Sequence, residues 1–130
     1  MGHFIKWDNA EKTVVFQSYT GTPIKDDLYC LSEESAMMLG SVLHTVHLIV
    51  DESNVKLNLN SADMKYLEKN VPPNQGAVVM ILSKSDATYK KLIQGIGQSV
   101  APLAFGHTFF VSSVDEARQL LQDQFDIRYP

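Results

Sequence analysis

The stretch that decides the fold is His44-Thr45-Val46-His47-Leu48-Ile49-Val50-Asp51. It is short, β-branched and apolar at consecutive positions, so its centre is apolar on both faces. Such a run fits an interior strand of a sheet covered on both sides. A second run of the same kind, Gly76-Ala77-Val78-Val79-Met80-Ile81-Leu82, follows, and a third, His107-Thr108-Phe109-Phe110-Val111, lies near the end. Helical patterns separate them. Asn60 or Ser61 can cap a short helix through Leu67 that stops before Val71-Pro72-Pro73. Ser85-Asp86 opens a longer helix with Tyr89, Leu92, Ile93, Ile96 and Val100 as its apolar stripe, and Pro102 ends or bends it. Ser113 caps a last helix, with Asp115 and Glu116 in its first turn and Ala117, Leu120 and Leu121 facing inward.

Upstream of the deciding stretch the pattern changes. Phe4-Ile5-Lys6-Trp7 and Thr13 to Tyr19 are β-rich runs around a polar interruption, Asn9-Ala10-Glu11-Lys12, and read as a hairpin. Thr22 can then cap a helix beginning at Pro23, whose apolar positions Ile24, Leu28, Leu31 and Met38 recur at helical spacing to about Leu39. Cys30 reads as one of its buried residues. The expected order is β-β-α-β-α-β-α-β-α. Strands alternating with helices imply parallel pairing through right-handed crossovers, and the opening hairpin makes the sheet mixed. The expected architecture is thus a single α/β domain over residues 1–130, with helices packed on the sheet.

Composition agrees with that size. A chain of 130 residues, 45% apolar and 20% charged, hides about two-thirds of its unfolded surface in one domain. Its formal net charge of −4 argues against nucleic acid as the main partner. One cysteine permits no internal disulfide. No apolar run approaches membrane length, and Met1 to Asp8 lacks the basic-then-apolar pattern of a secretory signal. The expectation is therefore a cytoplasmic chain without membrane insertion.

In open α/β sheets, ligands sit beyond the carboxyl ends of the strands. Here those ends carry Asp51 and Ser53, then Ser83 and Ser85, then Ser113, which form a candidate ligand or partner rim. Serine and aspartate are also ordinary helix caps and turn residues, so the same positions have a purely structural reading. A phospho-receiver site would need an acidic pair after the first strand and a lysine after the last, where Ser112 stands. His44 and His47 point to opposite faces if both lie on a strand, so they cannot share a metal ion, and no histidine is placed to activate Cys30 or a serine. Gly95-Ile96-Gly97 falls within a helical stripe and reads as a close-packing site rather than a phosphate loop, and Lys90-Lys91 reads as a solvated helix face. No cofactor, metal or catalytic set is expected.

The segment His47-Leu48-Ile49-Val50-Asp51-Glu52-Ser53-Asn54-Val55 resembles the "apolar strand, Asp, x, Ser, x, Val" segment of STAS domains. The chain's end, Thr108-Phe109-Phe110-Val111-Ser112-Ser113-Val114-Asp115-Glu116-Ala117-Arg118-Gln119-Leu120-Leu121, resembles the closing strand and helix of SpoIIAA-like, STAS/SEC14-type small proteins. The resemblance implies a non-catalytic regulatory or protein-interaction module, with a protein partner or a second copy of itself as ligand. SEC14-type relatives imply an alternative, a carrier of an apolar small molecule or lipid, walled by Tyr89, Ile93, Ile96, Gly97, Val100 and Leu103-Ala104-Phe105. In the antagonist branch of STAS domains a serine at a helix start is phosphorylated. Ser61 stands in that place, with Asn60, Ala62 and Asp63 where the family has Asp, Ser and Gly, and the Asp63 charge would oppose a phosphate. The SpoIIAA-like branch, which lacks the switch, is the nearer match, and it gives Ser61 a plain capping role.

Overall fold

A computed structural model describes residues 2–53, 60–83 and 87–129. The elements follow the expected order: β1 (His3–Trp7), β2 (Val14–Tyr19), α1 (Lys25–Gly40), β3 (Val46–Asp51), α2 (Ser61–Lys69), β4 (Gln75–Ile81), α3 (Ala87–Val100), a single turn α4 (Pro102–Phe105), β5 (Thr108–Val111) and α5 (Val114–Phe125). Among the described residues they build one α/β domain around a five-stranded sheet with spatial order β1-β2-β3-β4-β5. The hairpin pair β1–β2 is antiparallel, and every later pair is parallel.

Parallel neighbours taken in sequence order, each reached by a right-handed crossover, send their connecting helices to one face. α1 and α2 lie side by side there, with the Tyr29 and Tyr66 rings 4.4 Å apart. Only α5, which follows the last strand, is free to cover the opposite face. The strand side chains divide accordingly. Val15, Leu48, Val50 and Val78 pack with Leu39 and Met38 of α1, while Val14, Phe16, Ile49, Val79, Ile81 and Val111 pack with Ala117 and Leu121 of α5. This is why β2 and β3 are apolar at successive positions. Met64 of α2 and Ala101 form a smaller cluster with Leu67, Val100 and Ala104.

Of three helix starts, α1 departs from expectation, α2 takes the first of its two expected caps, and α5 agrees. α1 is capped not at Thr22 but at Ile24, whose N–H donates to Asp27 Oδ2 at 2.8 Å. Asp27 also takes the Gly2 N–H and the His3 ring, so one carboxylate closes the helix and fastens the start of β1. α2 is capped by Asn60, which accepts the Asp63 N–H at 2.9 Å, so Ser61 is the first helical residue rather than the cap. α5 is capped by Ser113, as expected.

Three other positions need correction. Cys30 is exposed, because the buried line of α1 runs through Asp27, Leu31, Ser35 and Leu39, one position off the thiol. Ile96 is half exposed, outside any buried stripe. A Cβ on Gly95 would meet nothing within 4 Å, so close packing does not explain that glycine, whereas Gly97 is buried. The side chains of Tyr89, Leu92, Ile93 and Phe105 lie outside those described.

Candidate functional site

The sheet register sets Ser18, Asp51, Ile81 and Val111 in one row across the carboxyl edge. Of the rim residues, the structure brings Asp51 and Ser53 together. Asp51 Oδ1 accepts both the Ser53 N–H (3.1 Å) and its hydroxyl (2.7 Å), a local turn of the kind short polar side chains make. Ser113 uses its oxygen to accept the Glu116 N–H at 3.1 Å. Glu116 reaches back to the Ser112 hydroxyl and N–H, and these bonds hold its carboxyl below the usual range. Ser83 is half-buried just past β4. Ser85 lies outside the described residues. The described polar groups of this edge thus serve largely as caps and turns.

Ser61 is exposed at the start of α2, beside a network that ties α2 to α1. Asp63 receives the Lys25 ammonium at 2.8 Å, the Tyr29 hydroxyl and the Asn60 N–H. Burial works against its charged form, but these three donors outweigh that cost and hold the carboxyl at about 2. The Tyr29 phenol is correspondingly raised, first by its bond to Asp63. Tyr66 extends the seam by donating to Glu33 at 2.9 Å.

His44 and His47 do not share a ligand. His44 precedes β3, and its Nε2 is 2.8 Å from the Lys12 carbonyl. His47 is buried, and its Nδ1 accepts the Ala77 N–H at 2.9 Å while its ring lies 4.7 Å from Phe125. Burial pushes its pKa below the ordinary 6.5. Among the described residues no group of three His, Cys, Asp or Glu side chains could hold a metal ion.

Two arrangements carry no strong local signal in the sequence. The first is the turn between α1 and β3, at the amino edge of the parallel strands. The Asn74 side-chain amide donates to the Leu39 and His44 carbonyls at 2.9 Å each, and the Asn74 backbone carbonyl accepts the Val46 N–H at 2.9 Å. With the His44–Lys12 bond, the turn is held on both sides. Yet it carries Leu43 fully exposed, and Met37, 76% exposed, lies at the same end of α1.

The second is the C-terminal tail. Asp8, with a side chain only 1% exposed, receives a two-pronged contact from Arg118 (3.1 and 2.8 Å) and the Tyr129 hydroxyl at 2.7 Å. Asn9 adds a bond to the Arg128 carbonyl at 3.2 Å. An open cleft of about 470 Å³ lies here, lined by Asp8, Asp115, Arg118, Gln119, Gln122 and Tyr129. These lining groups are polar, unlike an apolar carrier pocket. Of the residues expected to wall such a pocket, Ile96 and Leu103 stand in water.

No protein-family model, curated protein or solved structure matches the chain. Among the described residues no helix is long and apolar enough to cross a membrane.

Proposed function

We propose that the chain is a non-catalytic regulatory module of SpoIIAA/STAS-like type that works in the cytoplasm by binding a protein. The observation that carries this reading is the braced turn at Leu43. Leu43 is the most exposed of the large apolar side chains among the described residues, and it stands on a turn whose backbone is bonded from both sides. Here the backbone beneath it is fixed by Asn74 and His44, so it does not fold back to cover itself. A rigid exposed leucine is a preorganised anchor, because little conformational freedom is lost when a partner closes over it. Met37, also exposed, stands in the last turn of the helix that leads into this turn. The engagement of Asp51, Ser53, Ser112 and Ser113 in internal bonds supports binding over catalysis.

The test is a photo-crosslinking residue placed at Leu43 in the full chain, expressed in its native host. One recurrent protein adduct is expected, absent when the same group replaces exposed Gln98 on α3 and lost when Met37→Lys is added. Equal labelling from both positions, or none from position 43, contradicts the reading.

A further inference from the structure

The sheet has an open edge at β1, since β1 pairs only with β2 in the described sheet. The bonds flanking β1 show which of its groups look outward. The Gly2 carbonyl accepts the Thr20 N–H at 2.8 Å, and the Asp8 N–H donates to the Val14 carbonyl at 2.8 Å. In an antiparallel ladder a residue's N–H and C=O point to the same side, and that side alternates along the strand. Positions 2, 4, 6 and 8 therefore face β2, in keeping with the pairs Phe4–Ser18 and Lys6–Phe16. His3, Ile5 and Trp7 direct their N–H and C=O groups away from the sheet.

This edge is complementary to itself. Two copies of β1 running antiparallel about a two-fold axis at Ile5 would set Ile5 opposite Ile5 and His3 opposite the partner's Trp7. The outward groups at these positions would complete six backbone hydrogen bonds. Phe4 would then stand opposite the partner's Lys6 at the close, non-hydrogen-bonded sites. Both residues project onto the face of Phe16, where Phe4 packs 5.9 Å from that ring and the Lys6 ammonium lies 5.8 Å from its centroid. Phe4 is 42% exposed in the single chain. The pairing would cover its ring with a lysine stem and place a cation beside it, and no two like charges would oppose each other across the strands. β5, the other edge, is one residue shorter, and the Lys91 ammonium lies 5.8 Å from the centroid of its Phe110 ring. We infer that β1 is the self-association edge of this protein, with a second copy of the chain as occupant, joining two five-stranded sheets into one of ten. The inference is independent of the Leu43 surface, since a chain that stays monomeric could still bind a partner there.

Sedimentation equilibrium on the full chain tests it. The native chain is expected to be dimeric. Phe4→Lys sets lysine opposite the partner's Lys6 at two symmetric places and should weaken the dimer about tenfold or more. Ile5→Pro removes an outward N–H that β2 does not use and should do the same. Adding Lys6→Glu to Phe4→Lys creates two opposite-charge pairs and should restore association. Circular dichroism and the unfolding midpoint identify any variant that has lost its fold, and Phe4→Lys, at an already exposed position, is the one expected to keep it. A native chain that stays monomeric, or a dimer that folded Phe4→Lys leaves intact, overturns the inference.

Discussion

His47 shows how one buried polar side chain sets a requirement on its neighbours. Its Nδ1 accepts a hydrogen bond from the Ala77 N–H, so the folded chain holds the ring neutral, with its proton on Nε2. Burial depresses the pKa, and the sign of the pH dependence follows. Below the ordinary value of 6.5 the unfolded chain takes up the proton first, so this contribution to stability is complete above about pH 6.5 and declines as pH falls toward the depressed folded value. Urea unfolding from pH 7.5 to 5.5 is expected to show that decline, and His47→Gln to flatten it. The same ring explains Gly76, where a Cβ would come within 2.5 Å of His47 Nδ1. Gly76→Ala should cost about 1–3 kcal/mol by forcing the ring off its bond, measured as a lower denaturation midpoint with an unchanged slope.

At the scale of elements, the turn after α1 links the fold to the proposed binding surface. Asn74→Ala removes the donor that bridges Leu39 and His44 and should cost about 1–2 kcal/mol of stability. It should also weaken partner binding while leaving Leu43 in place, a combination that isothermal titration and thermal unfolding together would detect. The strands and helix order were legible in the sequence because the signals are local: two-sided apolar runs at Val46–Val50 and Ala77–Leu82, and the Ser113 cap followed by Asp115 and Glu116. Asn74 was not legible, because its partners are 30 and 35 residues away and an asparagine after two prolines reads as an ordinary turn residue. Cys30 was misread for a related reason. Helical spacing gives the period of a buried stripe, but a phase error of one residue turns a side chain by about 100°. In α1 the phase is set partly by polar Asp27 and Ser35, which an apolar pattern does not count.

At the scale of the whole molecule, the chain's two ends meet at Asp8. Its carboxylate joins the β1–β2 turn to α5 through Arg118 and to the tail through Tyr129, across 110 and 121 residues. Burial, and then the bond to Asp8, raises the Tyr129 phenol. Asp8→Ala should cost about 1–3 kcal/mol, with faster amide exchange at Ile127 as the tail loosens. None of this was visible in the sequence, because the partners lie 110 and 121 residues apart and leave no local pattern. The domain that results is built from short strand–helix units, and its described polar edge groups are largely engaged internally, which places its proposed work on its surface. That central claim is tested most directly by native mass spectrometry of the 14.5 kDa chain isolated from its host without denaturation. The account predicts complexes whose added mass is that of a protein other than a second copy of the chain and which disappear with Leu43→Lys. A chain carrying one equivalent of a small apolar molecule and no protein, unchanged by Leu43→Lys, would contradict it.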